Sequence, residues 1–196
     1  MSVGETALTR PIGGVASGRA ISEEEFAEIV RLHQQRVHRL LVSFVRDPDE
    51  AASLAQECFL RAYRNWCGFR GECSVATWLS RIAVNLARDA AKNRRRSFWR
   101  RLLAFEDPAG TGSESAALEV ATGEASPEQS LLAREKLNAV WDTVDRLPPQ
   151  QRMVFLLRFV DEMSLEEVAQ VLELNLGTVK SHLSRALATV RRQVTR

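Results

Sequence analysis

The chain of 196 residues is poor in cysteine and contains no long apolar run. Its three cysteines, Cys58, Cys67 and Cys73, are an odd number without Cys-x-x-Cys spacing, so neither a disulfide framework nor a zinc site is predicted. No stretch approaches the roughly 18–20 apolar residues that a membrane span needs. The first 20 residues also lack the apolar core of a signal peptide. We therefore expect a cytoplasmic protein in a reducing compartment.

The sequence signatures of common enzymes are also missing. The chain contains no Gly-x-Ser-x-Gly turn, no glycine-rich phosphate loop and no cluster of metal-ligating side chains. The sequence therefore predicts a protein that is not an enzyme and that uses no catalytic residue, metal, cofactor or small-molecule substrate.

The net charge of +2 conceals a segregation of charged residues along the chain. Residues 1–25 carry a net charge of −2, residues 26–104 carry +8, residues 105–130 carry −6, and residues 131–196 carry +2. The total charge alone argues weakly against a nucleic-acid partner. The segregation is more informative than the total, because it leaves a basic block that attracts polyanions.

Apolar residues recur at helical spacing along most of the chain, and no stretch shows sustained strand alternation. We predict an all-α protein of two small helical domains joined by a flexible acidic linker. The predicted boundaries are a flexible tail at 1–21, a first domain at 22–104, the linker at 105–130 and a second domain at 131–196.

Three helices are predicted in the first domain. Ser22 and Glu25 form a capping box that opens the first helix, and an Asp-Pro pair at 47–48 ends it. The second helix covers roughly residues 49–66, and the third begins at Ser74 or Thr77. The predicted apolar stripe of the third helix comprises Trp78, Ile82, Leu86 and Ala90.

The segment 164–192 has the pattern of a helix-turn-helix, with a capped first helix, a short break and an amphipathic second helix. Ser164 and Glu167 form a second capping box, and Asn175 is the expected N-cap of the second helix. The early turns of such a helix reach base edges in the DNA major groove, where Arg185 could contact guanine. The sequence therefore predicts duplex DNA as a partner; the alternative is a solvated basic face.

Aromatic and basic side chains interleave between residues 66 and 101. Arginines supply phosphate contacts, and exposed aromatic rings stack on unpaired bases. Trp78 lies on the apolar stripe and is expected in the core. Phe69 and Arg70 flank loop glycines and are the better candidates for nucleic-acid contact.

Several short motifs together resemble an extracytoplasmic-function (ECF) sigma factor of the sigma-70 superfamily. In the first domain these are Gln56-Glu57-Cys58-Phe59-Leu60-Arg61-Ala62, Phe69-Arg70-Gly71, Thr77-Trp78-Leu79, Arg81-Ile82-Ala83 and Asn85. In the second domain they are Leu147-Pro148, Gln151-Arg152 and Gly177-Thr178-Val179-Lys180-Ser181. The resemblance covers roughly residues 26–192, and its specificity lies in the combination and order of the motifs.

The resemblance implies a subunit that binds core RNA polymerase and directs it to promoter DNA. Such a subunit docks on the clamp helices of the largest polymerase subunit and on the flap, recognises the −10 and −35 elements, and melts the −10 region. The acidic linker would thread through the polymerase interior toward the RNA exit path. Because ECF proteins are commonly held by an inhibitor, we expect a separate anti-sigma factor, and a monomer when the chain is free of partners.

The resemblance also assigns candidate residues to three interfaces. Those for polymerase binding are Leu54, Gln56, Glu57, Leu60 and Arg61. Those for the −10 element are Phe69, Arg70, Thr77, Arg81, Asn85 and Arg88. Those for the −35 element are Thr178, Lys180, Ser181, Ser184 and Arg185. The loop 69–76 corresponds to one that captures a flipped −10 base, and flipping costs a few kcal/mol that the pocket must offset.

Three positions depart from the family pattern. The family often has several acids before its Gln-Glu pair, whereas this chain has Glu-Ala-Ala-Ser at 50–53. Glu173 stands where glycine is usual, and Leu187 where another basic residue is common. The alternative interpretation is a helix-turn-helix regulator of the response-regulator output type, which residues 178–183 also resemble. That class needs an upstream α/β receiver, and the all-helical prediction for residues 22–104 argues against it.

Overall fold

The computed structural model describes residues 21–103 and 137–194, and every regular element in these two ranges is helical. The all-α prediction is confirmed. The elements are α1 (Glu23–Val45), α2 (Pro48–Arg64), a 3-10 turn (Trp66–Gly68), α3 (Val75–Leu103), α4 (137–145), α5 (Pro149–Phe159), α6 (Leu165–Leu172) and α7 (Leu176–Val194). The predicted acidic linker lies outside the described residues, as does all of the predicted tail except residue 21.

Side-chain caps fix where the first two helices begin. The Ser22 hydroxyl accepts the backbone N–H of Glu25 at 3.1 Å, and the Glu25 carboxylate accepts that of Ser22 at 3.0 Å. The Asp47 carboxylate accepts two backbone N–H groups of α2 at 3.0 Å, and Pro48 occupies the first helical position. Both predicted starts are confirmed. Helix α2 ends at Arg64, two residues earlier than predicted, because the 3-10 turn follows it.

Helices α1, α2 and α3 pack against one another around a core of aliphatic and small side chains. Ala51, Cys58 and Ala62 on α2 are fully buried, so the three helices approach closely along this line. Each large aliphatic side chain removed from water contributes about 1.5–3 kcal/mol. The larger core residues that are at most 2% exposed are Val37, Leu40, Leu41, Leu79 and Val84.

Helix α3 buries a wider arc than the predicted stripe. Of the predicted residues only Leu86 is buried, while Trp78, Ile82 and Ala90 are partly exposed. The polar side chain of Ser80 is buried instead, because α3 contacts α1 and α2 on one side and α6 on the other. A helix covered from two sides does not show a single apolar stripe in its sequence.

Helices α4 to α7 form the C-terminal helical unit, with a small core of its own. Residues 146–148 separate α4 from α5, which begins at Pro149. Helix α5 contacts both α6 and α7 and supplies two of the largest side chains of this core, Phe155 and Leu156. The remaining buried members are Val144, Leu147, Ala186 and Val190.

The core of helices α1–α3 continues without a break into the C-terminal unit. Met153, Val154 and Leu157 of α5 belong to the same apolar cluster as the buried residues of α1–α3, and so do Val168 and Val171 of α6. The sequence pattern predicts two domains but carries no signal for this contact. The two units therefore share buried apolar surface in addition to their own cores.

The turn after α6 places a glutamate in a conformation that favours glycine. Glu173 has φ 57° and ψ 42°, in the left-handed region, where a side chain costs about 1–2 kcal/mol. We expect Glu173→Gly to raise the free energy of unfolding by about 0.5–1 kcal/mol, after the larger backbone entropy of glycine is deducted. Urea denaturation would measure the gain. A loss of stability would show that the Glu173 side chain holds the turn.

Candidate nucleic-acid interface

Helices α6 and α7 form the predicted helix-turn-helix. The Ser164 hydroxyl accepts the Glu167 N–H at 3.1 Å, and the Glu167 carboxylate accepts the Ser164 N–H at 2.9 Å. At the start of α7, the Asn175 side-chain oxygen accepts the Thr178 N–H at 2.7 Å. Val179 is fully buried behind this turn. Both predicted caps are confirmed, and they set the position from which α7 projects.

The outer face of α7 carries the candidate −35 residues. Lys180, Ser181, Ser184 and Arg185 are exposed, and Thr178 is half-buried. Ammonium, hydroxyl and guanidinium groups on the early turns of a helix suit phosphates and base edges. His182 on the same helix is half-buried, and its Nδ1 is enclosed.

Five aromatic rings pack together where α2 leads into α3. The Trp66 ring lies 6.1 Å from Phe26, 5.5 Å from Phe69 and 5.8 Å from Trp78, measured between ring centroids. Tyr63 packs edge-on against Phe26 at 5.0 Å. Phe69 is only 6% exposed. The interpretation of Phe69 as an exposed ring for base stacking is therefore wrong for this conformation, because Trp66 and Trp78 cover it.

Four of the candidate −10 residues share one face of α3, since they are three or four residues apart: Thr77, Arg81, Asn85 and Arg88. Thr77 is buried, and its hydroxyl lies 3.3 Å from the Glu167 carboxylate. Arg81 donates to the backbone carbonyl of Gln170 at 2.6 Å. The Arg88 Nε lies 3.1 Å from the sulfur of a methionine on α5, residue 153. Asn85 is exposed, as is the loop residue Arg70.

The candidate polymerase-binding residues lie on the outer side of α2. Leu60 is 42% exposed, and Gln56 and Arg61 are also exposed. Glu57 is half-buried and accepts a hydrogen bond from Arg61 at 2.7 Å. Leu54, also half-buried, lines a groove between α2 and the later turns of α3. At its end Arg94 of α3 pairs with Glu50, the acid that begins the atypical Glu-Ala-Ala-Ser run.

A buried carboxylate that no sequence motif predicts joins the two helical units. The Asp161 side chain is 1% exposed, and its oxygens accept hydrogen bonds from Arg36 Nε at 2.5 Å and the Ser80 hydroxyl at 2.8 Å. These partners are 125 and 81 residues away in sequence, so no local motif reveals them. Burial, with a further contribution from Arg36, holds the pKa of the adjacent His33 below its usual value.

A second polar contact between the units lies at the end of α1. Arg152 of α5 donates from Nη2 to the backbone carbonyls of Ser43 and Phe44, both at 3.1 Å. These carbonyls belong to the last turn of α1, where helix geometry leaves them without a helical partner. Asp145 of α4 bridges this contact, since it pairs with Arg152 at 3.0 Å and with Arg46 at 3.2 Å.

The cysteines differ in environment. Cys58 is fully buried, and burial raises the pKa of its thiol to about 12, so it remains an unreactive thiol at neutral pH, as its place on an apolar face predicts. Cys67 is exposed and Cys73 is half-buried.

Across residues 21–103 and 137–194, no group of three His, Cys, Asp or Glu side chains is arranged to hold a metal ion. Within the same residues, no helix has the length and hydrophobicity to cross a membrane.

Comparison with known families matches both helical units. Residues 29–97 match the family model of sigma-70 region 2, and residues 137–190 match that of sigma-70 region 4. The chain is 34% identical to the RNA polymerase sigma-H factor of Pseudomonas aeruginosa, over 82% of this chain and 81% of the relative. It is 33% identical to the ECF RNA polymerase sigma-E factor of Escherichia coli, over 88% and 87%, and 29% identical to the ECF sigma factor SigW of Bacillus subtilis, over 88% and 90%.

Solved structures share the fold. The sigma factor RpoE of Bartonella quintana, in complex with the anti-sigma factor NepR, matches with a TM-score of 0.65 at 21% identity, over 88% of this chain and 98% of that one. CnrH, in complex with the cytosolic domain of CnrY, matches with a TM-score of 0.60 at 22% identity, over 87% and 88%. With both sigma-70 regions matched in order and relatives above 30% identity along most of its length, this chain belongs to the ECF sigma factors of the sigma-70 family.

Proposed function

We propose that this chain binds core RNA polymerase, directs it to promoters through the −10 and −35 elements, and melts the −10 region, without catalysing a reaction itself. The observation that carries the proposal is the exposed outer face of the recognition helix α7, which Asn175 caps, together with a separate exposed face on α2. One face suits DNA and the other suits a protein partner. The site of action is the cytoplasm, where polymerase meets the chromosome.

The outer face of α2 is the proposed polymerase-binding surface. The solvent-exposed Leu60 projects beside the ion pair of Glu57 and Arg61, so an apolar anchor is flanked by charges that fix its orientation. An apolar residue surrounded by a polar rim is typical of protein–protein interfaces. We assign it to the clamp helices of the largest polymerase subunit, and the C-terminal unit to the flap.

The candidate −35 and −10 residues act on different forms of DNA in this proposal. Lys180, Ser181, Ser184 and Arg185 read the −35 duplex from the major groove, with Thr178 on the backbone. On the −10 side, Arg70 and Asn85 are accessible, whereas Thr77, Arg81 and Arg88 face the C-terminal unit. Because Phe69 is buried, we propose that it supports the loop that receives a flipped base.

An anti-sigma factor is the proposed regulator. RpoE, which shares the fold, was solved in complex with the anti-sigma factor NepR, and CnrH was solved in complex with the cytosolic domain of CnrY. We propose that this chain is held by a separate anti-sigma protein and is monomeric when free of partners. The response-regulator alternative is set aside, because residues 21–103 form helices rather than an α/β receiver.

Run-off transcription tests the proposed function. Core polymerase and the purified chain are incubated with a promoter library, and initiated transcripts are sequenced. Initiation at a common −10 and −35 pattern, absent with core polymerase alone, is the expected result. If initiation requires a second sigma factor, the chain is an ordinary regulator and the proposal is wrong.

Arg185 provides the sharpest test of −35 readout. We expect Arg185→Ala to weaken discrimination at one −35 position by about 1–3 kcal/mol, because the guanidinium contacts a base edge. Transcription from promoters with every base at each −35 position measures this loss. Arg39→Ala removes the same charge from the exposed surface of α1 and should leave discrimination unchanged. A loss that is uniform over all promoters would show that Arg185 contacts only phosphate.

A further inference from the structure

An open groove of about 600 Å³ runs between α2 and the later turns of α3. The apolar part of its lining consists of Leu54 of α2 together with Leu86 and Ala90 of α3. The remaining lining side chains are charged or polar, and both helices contribute them. We call this site the α2–α3 groove.

The α2–α3 groove is continuous with the proposed polymerase-binding surface. Leu54, Glu57 and Arg61 belong to both, since they lie where the outer face of α2 turns toward α3. The surface that a partner meets therefore does not end at α2, because α3 supplies a second wall. An apolar strip between two helices, with charges on either side, suits a third helix that is itself amphipathic.

The charge of the α2–α3 groove differs from that of the unit around it. Three carboxylates and two guanidinium groups line the groove, whereas residues 26–104 carry a net charge of +8. A DNA phosphate gains nothing from an excess of carboxylates, while a cationic protein side chain is attracted by it. The groove therefore fits a basic protein segment rather than nucleic acid.

The three carboxylates of the groove are held to different degrees. Glu57 accepts a hydrogen bond from Arg61 at 2.7 Å, and Glu50 pairs with Arg94. Among the described residues, the Asp89 carboxylate has a single loose ion pair, 3.9 Å from Lys92 of the next turn, and the two side chains are 60% and 75% exposed. Such an exposed pair contributes little, so another cation exchanges for Lys92 easily.

We propose that a basic helix of core RNA polymerase docks in the α2–α3 groove and that Asp89 pairs with one of its arginine or lysine side chains. Asp89 thereby supplies from α3 an acidic contact that the Glu-Ala-Ala-Ser run at 50–53 is short of. The inference rests on the proposed function and deepens it, because it extends the polymerase surface to a second helix and names the chemistry of the partner.

Ser53 offers a way to exchange one acidic contact for another. It is exposed, and it lies three residues after Glu50 and four before Glu57, so the three share one side of α2. A carboxylate at position 53 would face the helix that occupies the groove. An acid on α2 should then compensate for one removed from α3.

Asp89→Asn tests the proposal, because it removes the charge and keeps the size of the side chain. Fluorescence anisotropy of the labelled full chain measures its affinity for core polymerase without DNA. We expect affinity to fall about tenfold, the effect of losing one hydrogen bond to a charged group. The loss should shrink as salt is raised, because salt screens partly exposed charges. Adding Ser53→Asp should recover most of the affinity.

Two control variants separate a direct contact from a structural effect. Glu24→Gln removes an exposed acid of α1, far from the groove in sequence, and should bind as the wild type does. Lys92→Gln breaks the ion pair of Asp89 but leaves its carboxylate in place. A direct contact predicts unchanged or tighter binding of Lys92→Gln, whereas a structural role of the pair predicts the same loss as in Asp89→Asn. Circular dichroism checks that all variants remain helical.

Crosslinking tests directly whether polymerase occupies the groove. Asn93 is exposed and lines the groove, so a benzophenone amino acid at this position should link covalently to the largest polymerase subunit on irradiation. The same group at Glu24 should give no such product.

The outcomes distinguish this proposal from the proposed function. Unchanged affinity of Asp89→Asn, an equal loss in Lys92→Gln, no recovery with Ser53→Asp, or no crosslink from Asn93 would each overturn the docking of polymerase in the groove. In those cases wild-type chain still binds polymerase and initiates at promoters, so the proposed function stands. If the wild-type chain neither binds core polymerase nor supports initiation, the proposed function itself is wrong.

Discussion

Trp66→Ala is expected to lower the free energy of unfolding by about 3–5 kcal/mol, the range for removing a large buried aromatic side chain. Trp66 is 3% exposed, and its ring touches Phe26, Phe69 and Trp78. Truncation leaves a cavity at the point where α1, the end of α2 and the start of α3 meet. At about 2–4 °C per kcal/mol for a chain of this size, the thermal midpoint should fall by about 10 °C.

Tyr63→Ala is the matched control for the loss of an aromatic ring. Tyr63 packs on the same Phe26 at 5.0 Å but is 41% exposed, so its truncation should cost about 1 kcal/mol. Urea denaturation of both variants gives the comparison. Equal losses would mean that the ring of Trp66 does not organise the cluster. A selective loss at Trp66 would also predict that the loop 69–76, proposed to receive a −10 base, is less well ordered. The reason is that Phe69 packs on the Trp66 ring.

Leu60→Asp should abolish most binding to core polymerase while leaving the fold intact. Leu60 is 42% exposed on the outer face of α2, so its replacement creates no cavity. A carboxylate brought into an apolar interface without a partner costs about 3 kcal/mol or more, which corresponds to about a hundredfold weaker affinity. Fluorescence anisotropy of the labelled chain with core polymerase measures the change.

Leu32→Asp controls for the substitution itself. Leu32 is a 53% exposed leucine in the middle of α1, outside the proposed interface. Its replacement by aspartate therefore makes the same change in side chain and in helix propensity as Leu60→Asp. Its affinity for polymerase should match that of the wild type. Equal losses in the two variants would place the polymerase surface elsewhere, or would show that it spans both helices.

Local chemistry made the helix starts predictable. The capping boxes at Ser22 and Ser164 and the N-caps at Asp47 and Asn175 depend on residues within three positions, so the sequence displays them directly. The exposed face of α7 was predictable from the helical spacing of its apolar residues. These features need no knowledge of what packs against the helix.

Contacts between distant residues were not predictable in this way. In the sequence Ser80 is a small polar residue of a kind that is usually exposed. In the structure it is buried, and its hydroxyl donates to Asp161, which lies 81 positions away. Phe69 sits beside loop glycines, which favours exposure, yet two tryptophans fold over it. In both cases tertiary packing overrides local pattern, and a single sequence carries no periodic signal for it.

The unbroken apolar core has a consequence for cooperativity. Because residues of α5 and α6 share one cluster with α1–α3, the chain should unfold as a single unit, whereas two independent bundles would melt separately. The region 2 unit and the region 4 unit then resist thermal unfolding jointly. A partner that separates the units divides one folding transition into two, and each helical unit must then rely on its own smaller core.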